Sequence, residues 1–284
     1  MQLSIDYSVI FSPHFANTFS VSHNFMKRHL KTILILTFLT FFIGRTFAQE
    51  NEIDFYTEIK NYDISRIIVT DSIIAEDGEN TKEKLAKVEP IGFIGDDYQR
   101  FYIHFISVIQ NPKNQYEYFV YGKTKVKETI RPFQGTIIVK KANIKKDTDI
   151  FPNYKLGYAT CEVNFYEDKK LTSTGFIKGE MTIGYVIDTK NNFRYNALYF
   201  YTDGFSNNEF KGTWTSYKTN ISKKCNFGDY RIPESGDLDI GAGEFSPDPK
   251  YFDKGWKYYI LSLSGETEID TEIGRKKEKE KWWK

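Results

Sequence analysis

Alternation of apolar and polar residues between short turn-forming segments constrains this fold more than any other feature of the chain. Residues 161–166 alternate strictly, and the odd-numbered residues of 181–187 are all apolar. This period of two is typical of half-buried β-strands. Residues 111–114, 188–192 and 203–208 are rich in Asn, Asp, Gly or Pro, which favour hairpin connections. The pattern therefore predicts antiparallel strands joined by short turns.

Nine segments carry a strand pattern, namely 65–75, 98–110, 116–127, 133–142, 155–167, 173–188, 193–202, 208–218 and 256–263. Many strands with short connections predict an all-β fold rather than alternating strands and helices. We expect an antiparallel, meandering β-barrel of about 8–10 strands, with a two-sheet β-sandwich as the alternative. Short helices are expected in 77–88, in 50–60 and in the C-terminal tail.

An internal similarity supports the barrel. Residues 133–137 and 210–214 share the pattern Phe-x-Gly-Thr-apolar, and glycine inside a strand marks a bend or a close backbone approach. Gly212-Thr213-Trp214 resembles the Gly-x-Trp element of lipocalin and avidin-type barrels, although in those families the element lies near the start of the barrel. The resemblance covers these residues alone and implies a barrel without implying a ligand.

Residues 26–48 have the three parts of a cleavable signal peptide. A basic start at 26–31 precedes an apolar run at 32–43, and small residues at Thr46 and Ala48 predict cleavage before Gln49. A membrane anchor is the alternative, but the run is shorter than the roughly 20 residues that span a bilayer. Residues 1–25 have no signal character, so we expect translation to start at Met26.

These assignments predict a single all-β domain at 49–274 followed by a charged tail at 275–284. We expect the protein to be secreted or periplasmic, of bacterial origin, and without a transmembrane helix in its mature form. Removal of residues 1–48 leaves a net charge of −2, which offers no general basic field for nucleic acid. Export permits a disulfide between Cys161 and Cys225, the only cysteines, and two separate thiols are the alternative.

Catalytic signatures are weak. His104 is the only histidine after residue 48, and its apolar neighbours favour a structural role over a general base. A second hypothesis is a glycoside hydrolase that uses two carboxylates. The spacing of acidic residues in the sequence does not single out a pair. The acids considered are Glu162, Glu180, Glu209, Asp229 and Asp237.

The Asp- and Gly-rich segment 236–244 suggests a calcium site with Asp237, Asp239 and Glu244 as ligands. An ordinary polar loop is the favoured alternative, since the spacing departs from that of an EF-hand. No other cofactor is expected.

Aromatic residues form the other group of candidate binding residues. Segment 223–233 suggests an ordered loop at the mouth of a barrel, where binding sites are frequent. The candidate ligand-binding residues are Trp214, Tyr217, Phe227, Tyr230 and Arg231. The tail holds six cations and ends in Trp282-Trp283-Lys284, which favours either contact with a surface or a solvated terminus.

The combined prediction is an exported, non-catalytic ligand- or partner-binding module whose site is the barrel interior or its mouth. Its partner would be a small molecule, a glycan or an envelope protein. A carboxylate-dependent carbohydrate-active enzyme and a structural or inhibitory envelope protein are the alternatives.

Overall fold

The computed structural model describes residues 51–77, 81–146 and 150–284. The predictions about the signal peptide at 26–48 and about residues 1–25 therefore lie outside the described residues. Residues Glu52–Lys284, which include the tail, belong to one compact unit.

Eight antiparallel strands form a closed ring, which confirms the all-β prediction. In ring order they are β4 (Ile91–Ile94), β5 (Gln99–Asn111), β6 (Asn114–Val126), β7 (Thr129–Lys145), β8 (Tyr154–Glu167), β9 (Gly175–Asp188), β11 (Asn207–Ser216) and β12 (Ser222–Asp229). The order follows the sequence, with a short excursion between β9 and β11, so the connection is a meander. Closure comes from β12 against β4, where Cys225 is opposite Ile94 and Gly228 is opposite Ile91.

Four short strands lie outside the ring. Strand β1 (Glu52–Asp54) pairs with β7, and β10 (Phe193–Tyr195) pairs with β9. Strands β2 (Ser72–Glu76) and β3 (Lys82–Ala86) form a separate hairpin. The buried Glu76 carboxylate contacts Arg194 of β10 and accepts a hydrogen bond from Tyr154 of β8, so these two contacts attach the hairpin to the main sheet. Lys82 contacts the same carboxylate from within the hairpin.

The helices are α1 (Tyr56–Ile59), α2 (Ser65–Ile68), α3 (Lys257–Ser264) and α4 (Glu268–Glu278). The strand predicted at 256–263 is therefore wrong, because its residues form α3. The helix predicted at 77–88 is also wrong, since Lys82–Ala86 is strand β3. The prediction at 65–75 merged a helix and a strand, and that at 193–202 was too long.

Aromatic side chains fill the interior of the ring. Phe133 packs against Phe165 with ring centroids 4.8 Å apart, Phe210 stacks on Phe227 at 4.6 Å, and Phe105 packs among them. These residues alternate along their strands with outward-facing ones, as the period of two requires. Core side chains thus occupy the interior of the ring, one of the two places predicted from the sequence for a ligand.

Two glycines allow neighbouring strand backbones to approach each other closely. A Cβ atom at Gly135 would overlap the Asn164 carbonyl oxygen, and one at Gly212 would overlap the Lys178 carbonyl oxygen. Both glycines belong to the repeated Phe-x-Gly-Thr pattern, so that pattern marks close backbone approach. Trp214, from the Gly-x-Trp element, donates its indole N–H to the buried Glu167 carboxylate over 3.0 Å.

A second, smaller core covers the outside of β4 and β5. It contains Phe93, Leu238, Phe245 and Trp256, with Tyr259 of α3 packed against it. Helix α4 packs on α3, so the C-terminal part of the chain forms an outer layer on one side of the ring. In the described part of the chain, no helix is both long and apolar enough to cross a bilayer.

Candidate functional site

A groove of about 820 Å³ lies between the ring and the C-terminal outer layer. On the ring side its lining includes Arg100 and Tyr102 of β5, which alternate with the buried Phe101 and Ile103 and so face outward. Residues 86–91 line one end. Loop residues 200–205 and 243–245, together with α3, α4 and the C-terminus, complete the enclosure.

Two kinds of side chain dominate the lining. The aromatic ones are Tyr102, Phe200, Tyr201, Phe205, Tyr230, Phe245, Tyr259, Trp282 and Trp283. The charged ones are Lys87, Glu89, Arg100, Asp203, Glu244, Arg275, Glu278, Lys279 and Lys281. Aromatic walls with a few placed polar groups are typical of small-molecule sites.

Arg100 is the most deeply buried cation of the groove, with a side chain only 3% exposed. Its guanidinium carbon lies 4.2 Å from the ring centroid of Trp256, 4.8 Å from that of Tyr102 and 4.9 Å from that of Tyr259. Nη2 donates a hydrogen bond to Glu278 Oε2 over 3.1 Å, while Nε and Nη1 have no hydrogen-bond partner. A buried arginine with this little hydrogen bonding is unusual.

A buried ion pair lies beside the groove. Lys87 Nζ is 3.2 Å from Asp229 Oδ2, the Asp229 side chain is fully buried, and Asn208 donates a hydrogen bond of 2.6 Å to the same oxygen. Burial raises the pKa of Asp229, and the positive charge of Lys87 opposes that rise. Asp229 ends strand β12, and Lys87 follows strand β3, so ring closure brings the two together.

Tyr230 directly follows Asp229 in the chain and forms part of the aromatic wall of the groove. Its ring centroid lies 5.3 Å from that of Phe200 and 5.2 Å from that of Phe205. Its backbone has a φ of 67°, in the left-handed region that aromatic residues rarely adopt. Such strain is frequent at functional sites, and here it turns the chain out of β12 into the groove wall.

The C-terminus forms the remaining wall. Trp283 stacks on His104, and the Trp283 carbonyl oxygen accepts a hydrogen bond of 2.6 Å from Lys123. His104 Nδ1 also lies 2.9 Å from Glu89 Oε2. The tail predicted either to contact a surface or to fray is therefore docked on the domain itself, and His104 has a structural contact with it.

The structure separates most of the predicted ligand-binding residues. Tyr230 lines the groove. Phe227 is buried inside the ring, because Ser222–Asp229 is a strand rather than the predicted mouth loop. Trp214 bonds Glu167, and Tyr217 contacts Phe176 and Lys169. Arg231 is engaged with Asp239.

The predicted calcium ligands do not converge. Asp237 is 2.6 Å from Lys250, and Asp239 is 3.1 Å from Arg231 while accepting hydrogen bonds from two backbone N–H groups. Glu244 instead lines the groove. Among the described residues there is no group of three acidic, His or Cys side chains placed to hold a metal. The calcium site remains a prediction without geometric support.

Cys161 and Cys225 are separate, free and fully buried thiols, on strands that are not neighbours in the ring. The structure thus favours the alternative to the suggested disulfide. Burial raises the pKa of Cys161 to about 12 and also raises that of Cys225.

The acids considered for glycoside hydrolysis also lie elsewhere. Glu162 and Glu180 are cross-strand neighbours on β8 and β9, and Lys140 lies 2.9 Å from Glu162. None of the five acids named for that hypothesis lines the groove. Of the carboxylates that do, Glu89 contacts His104 and Glu278 contacts Arg100.

Comparison with known proteins gives no family assignment: no family model, no curated protein and no solved structure matches this chain significantly.

Proposed function

We propose that this protein is an exported binding module that holds a small, largely apolar ligand in the groove. The observation that carries the proposal is an aromatic-lined groove of about 820 Å³ on the outside of a ring whose interior is filled. Known small-molecule sites have volumes of roughly 300–1,000 Å³, so the groove has a suitable size.

The composition of the wall favours a ligand with a flat apolar body. Phe200, Phe205 and Tyr230 pack edge to face or tilted against one another, which leaves ring surfaces and edges along the groove. Binding of an apolar surface to aromatic side chains is favourable because it removes both surfaces from water. The closed ring of strands holds Tyr102 rigidly, so little conformational entropy is lost when a ligand binds against it.

Export is part of the proposal and rests on the signal pattern at 26–48. Mass spectrometry of the N-terminus of protein recovered from its native host tests it. A mature start at Gln49 is expected, and a protein that retains residues 1–25 would contradict it.

Binding is tested with the neutral dye phenylnaphthylamine, whose fluorescence increases in an apolar environment. We expect saturable binding by the full chain. Phe205→Ala, within the groove, should weaken binding about tenfold, because such a truncation removes on the order of 1.4 kcal/mol or more of aromatic contact.

Phe119→Ala is the matched control, since Phe119 is an exposed aromatic on β6 outside the groove. Its affinity for the dye should equal that of the wild type. Absence of saturable binding, or equal losses in both variants, would reject the groove as the site.

A further inference from the structure

We propose that Arg100 binds a carboxylate of the ligand, so that the ligand is an amphipathic organic acid rather than a neutral apolar molecule. This inference rests on the proposed function of the groove and specifies the class of its ligand. The juxtaposition of a buried, under-bonded guanidinium with an aromatic groove carries it.

The first step is the hydrogen-bonding state of Arg100. Its guanidinium makes one hydrogen bond, from Nη2 to Glu278, whereas the N–H groups at Nε and Nη1 are buried without acceptors. Buried N–H donors without partners are costly, and arginine suits planar recognition of carboxylates. A carboxylate bound at this position would supply the missing acceptors.

The second step is the surroundings of the guanidinium. Tyr102, Trp256 and Tyr259 surround it and leave little water to screen its charge. In such an environment an interaction with an anion is stronger than at an exposed surface. Tyr102 and Tyr259 also line the groove, so a ligand that reaches Arg100 would have its apolar body against aromatic rings.

The third step concerns Glu278, whose carboxylate already occupies one position on Arg100. This contact shows that a carboxylate can be accommodated there. Glu278 also competes electrostatically with any second anion, because like charges at one cation repel each other. The helix that carries Glu278 therefore sets how strongly the groove attracts an acidic ligand.

The test compares naphthoate with naphthamide, which have the same shape and differ in charge, as competitors of bound phenylnaphthylamine. In the full-length wild-type protein we expect naphthoate to compete at least about tenfold better, in line with a charge-assisted hydrogen bond. Arg100→Met keeps an unbranched apolar chain in the aromatic cage, and it should make the two competitors equal. Circular dichroism and thermal unfolding check that this variant is folded.

Glu278→Gln provides a variant with the opposite expected effect. It removes the competing charge while retaining a hydrogen-bond acceptor, so naphthoate affinity should increase about threefold or more while naphthamide affinity stays the same. A purely structural role of Arg100 predicts that this gain persists when Arg100→Met is combined with Glu278→Gln, whereas direct binding predicts that it is lost.

Equal competition by both compounds in the wild type, or a preference for naphthoate that survives in Arg100→Met, would overturn the inference while leaving the proposed binding function intact. Stronger competition by naphthyl phosphate than by naphthoate, lost in Arg100→Met, would overturn the carboxylate assignment in favour of a phosphate. Failure of phenylnaphthylamine itself to bind would instead reject the proposed function.

Discussion

The indole of Trp283 stacks on the imidazole of His104, with ring centroids 3.9 Å apart and planes inclined by 15°. One residue lies next to the end of the chain, and the other lies on the outer face of β5. Because Trp283 lines the groove, this contact couples the position of the terminus to the shape of the proposed site.

Replacement of Trp283 by alanine should therefore lower the affinity for phenylnaphthylamine about fivefold or more, because it removes both a groove wall and an aromatic contact worth roughly 0.5–1.5 kcal/mol. The ring strands do not depend on this residue, so the far-ultraviolet circular dichroism spectrum should not change. Fluorescence titration provides the measurement. Lys284→Ala, at the exposed neighbouring position, is the control and should bind like the wild type.

The buried pair of Lys87 and Asp229 predicts strong energetic coupling. Lys87→Met leaves a fully buried carboxylate without its cation, so the free energy of unfolding should fall by about 3 kcal/mol. Adding Asp229→Asn removes the uncompensated charge and should restore more than half of the loss. Urea unfolding of the single and double variants measures the coupling, and strictly additive losses would contradict it.

The same pair predicts a pH dependence with a definite sign. Burial raises the pKa of Asp229, so on acidification the native state takes up this proton before the unfolded chain does. The contribution of this carboxyl to stability therefore increases as the pH falls through its native pKa, and it levels off below its unfolded value of about 3.9.

Lys87→Met removes the charge that opposes this rise, so the gain in stability should begin at a higher pH than in the wild type. As the pH is lowered from neutral, urea unfolding should show Lys87→Met becoming more stable relative to the double variant. Parallel pH profiles for the two variants would show that Asp229 does not titrate in this way.

The buried cysteines predict slow thiol chemistry. Because the thiolate is the reactive form and burial raises both pKa values, native protein should not react with a thiol reagent near neutral pH. In denaturant without reductant, both Cys161 and Cys225 should react. If protein recovered from an oxidising compartment yields no free thiol after denaturation, the two cysteines are paired there.

The buried carboxylate of Glu167, at one end of the ring, is expected to stabilise the fold. It accepts hydrogen bonds from Thr124, from the Gly175 N–H and from Trp214, over 2.8 to 3.0 Å. A methionine side chain accepts none of these bonds with comparable strength, so Glu167→Met should cost about 2–3 kcal/mol.

Trp214→Phe removes one donor and leaves the other two bonds to Glu167 in place. It should cost less than Glu167→Met, on the order of 1–2 kcal/mol. Urea unfolding ranks the two variants, and the reverse order would mean that packing of the indole, rather than its bond to Glu167, dominates.

The long strands β5 to β9 could be predicted from the sequence because each is rich in β-branched and aromatic residues and lies between turn-forming segments. Strand β4 escaped prediction because all four of its residues are buried, so it has no alternation. The strand prediction for residues 256–263 was wrong for a different reason. Their tyrosine and isoleucine content favours strands, yet packing against the second core stabilises a helix there.

The groove could not be predicted because its lining comes from segments far apart in sequence. Arg100 and Glu278, for example, are 178 residues apart. The sequence contained one indication of the site, namely Arg100, a cation at an outward-facing position of strand β5. It did not indicate which residues cover Arg100. Tyr230 was found because an unusual density of aromatic and turn residues surrounds it.

The dependence of the groove on the last residues of the chain has a consequence for biosynthesis. Because synthesis runs from the N-terminus to the C-terminus, strands β4 to β12 leave the ribosome before α4, Trp282 and Trp283 do. The nascent chain therefore has no groove, and ligand cannot assist its early folding. A fusion partner joined directly after Lys284 would be attached beside Trp283 at the rim of the site, and we expect it to weaken ligand binding.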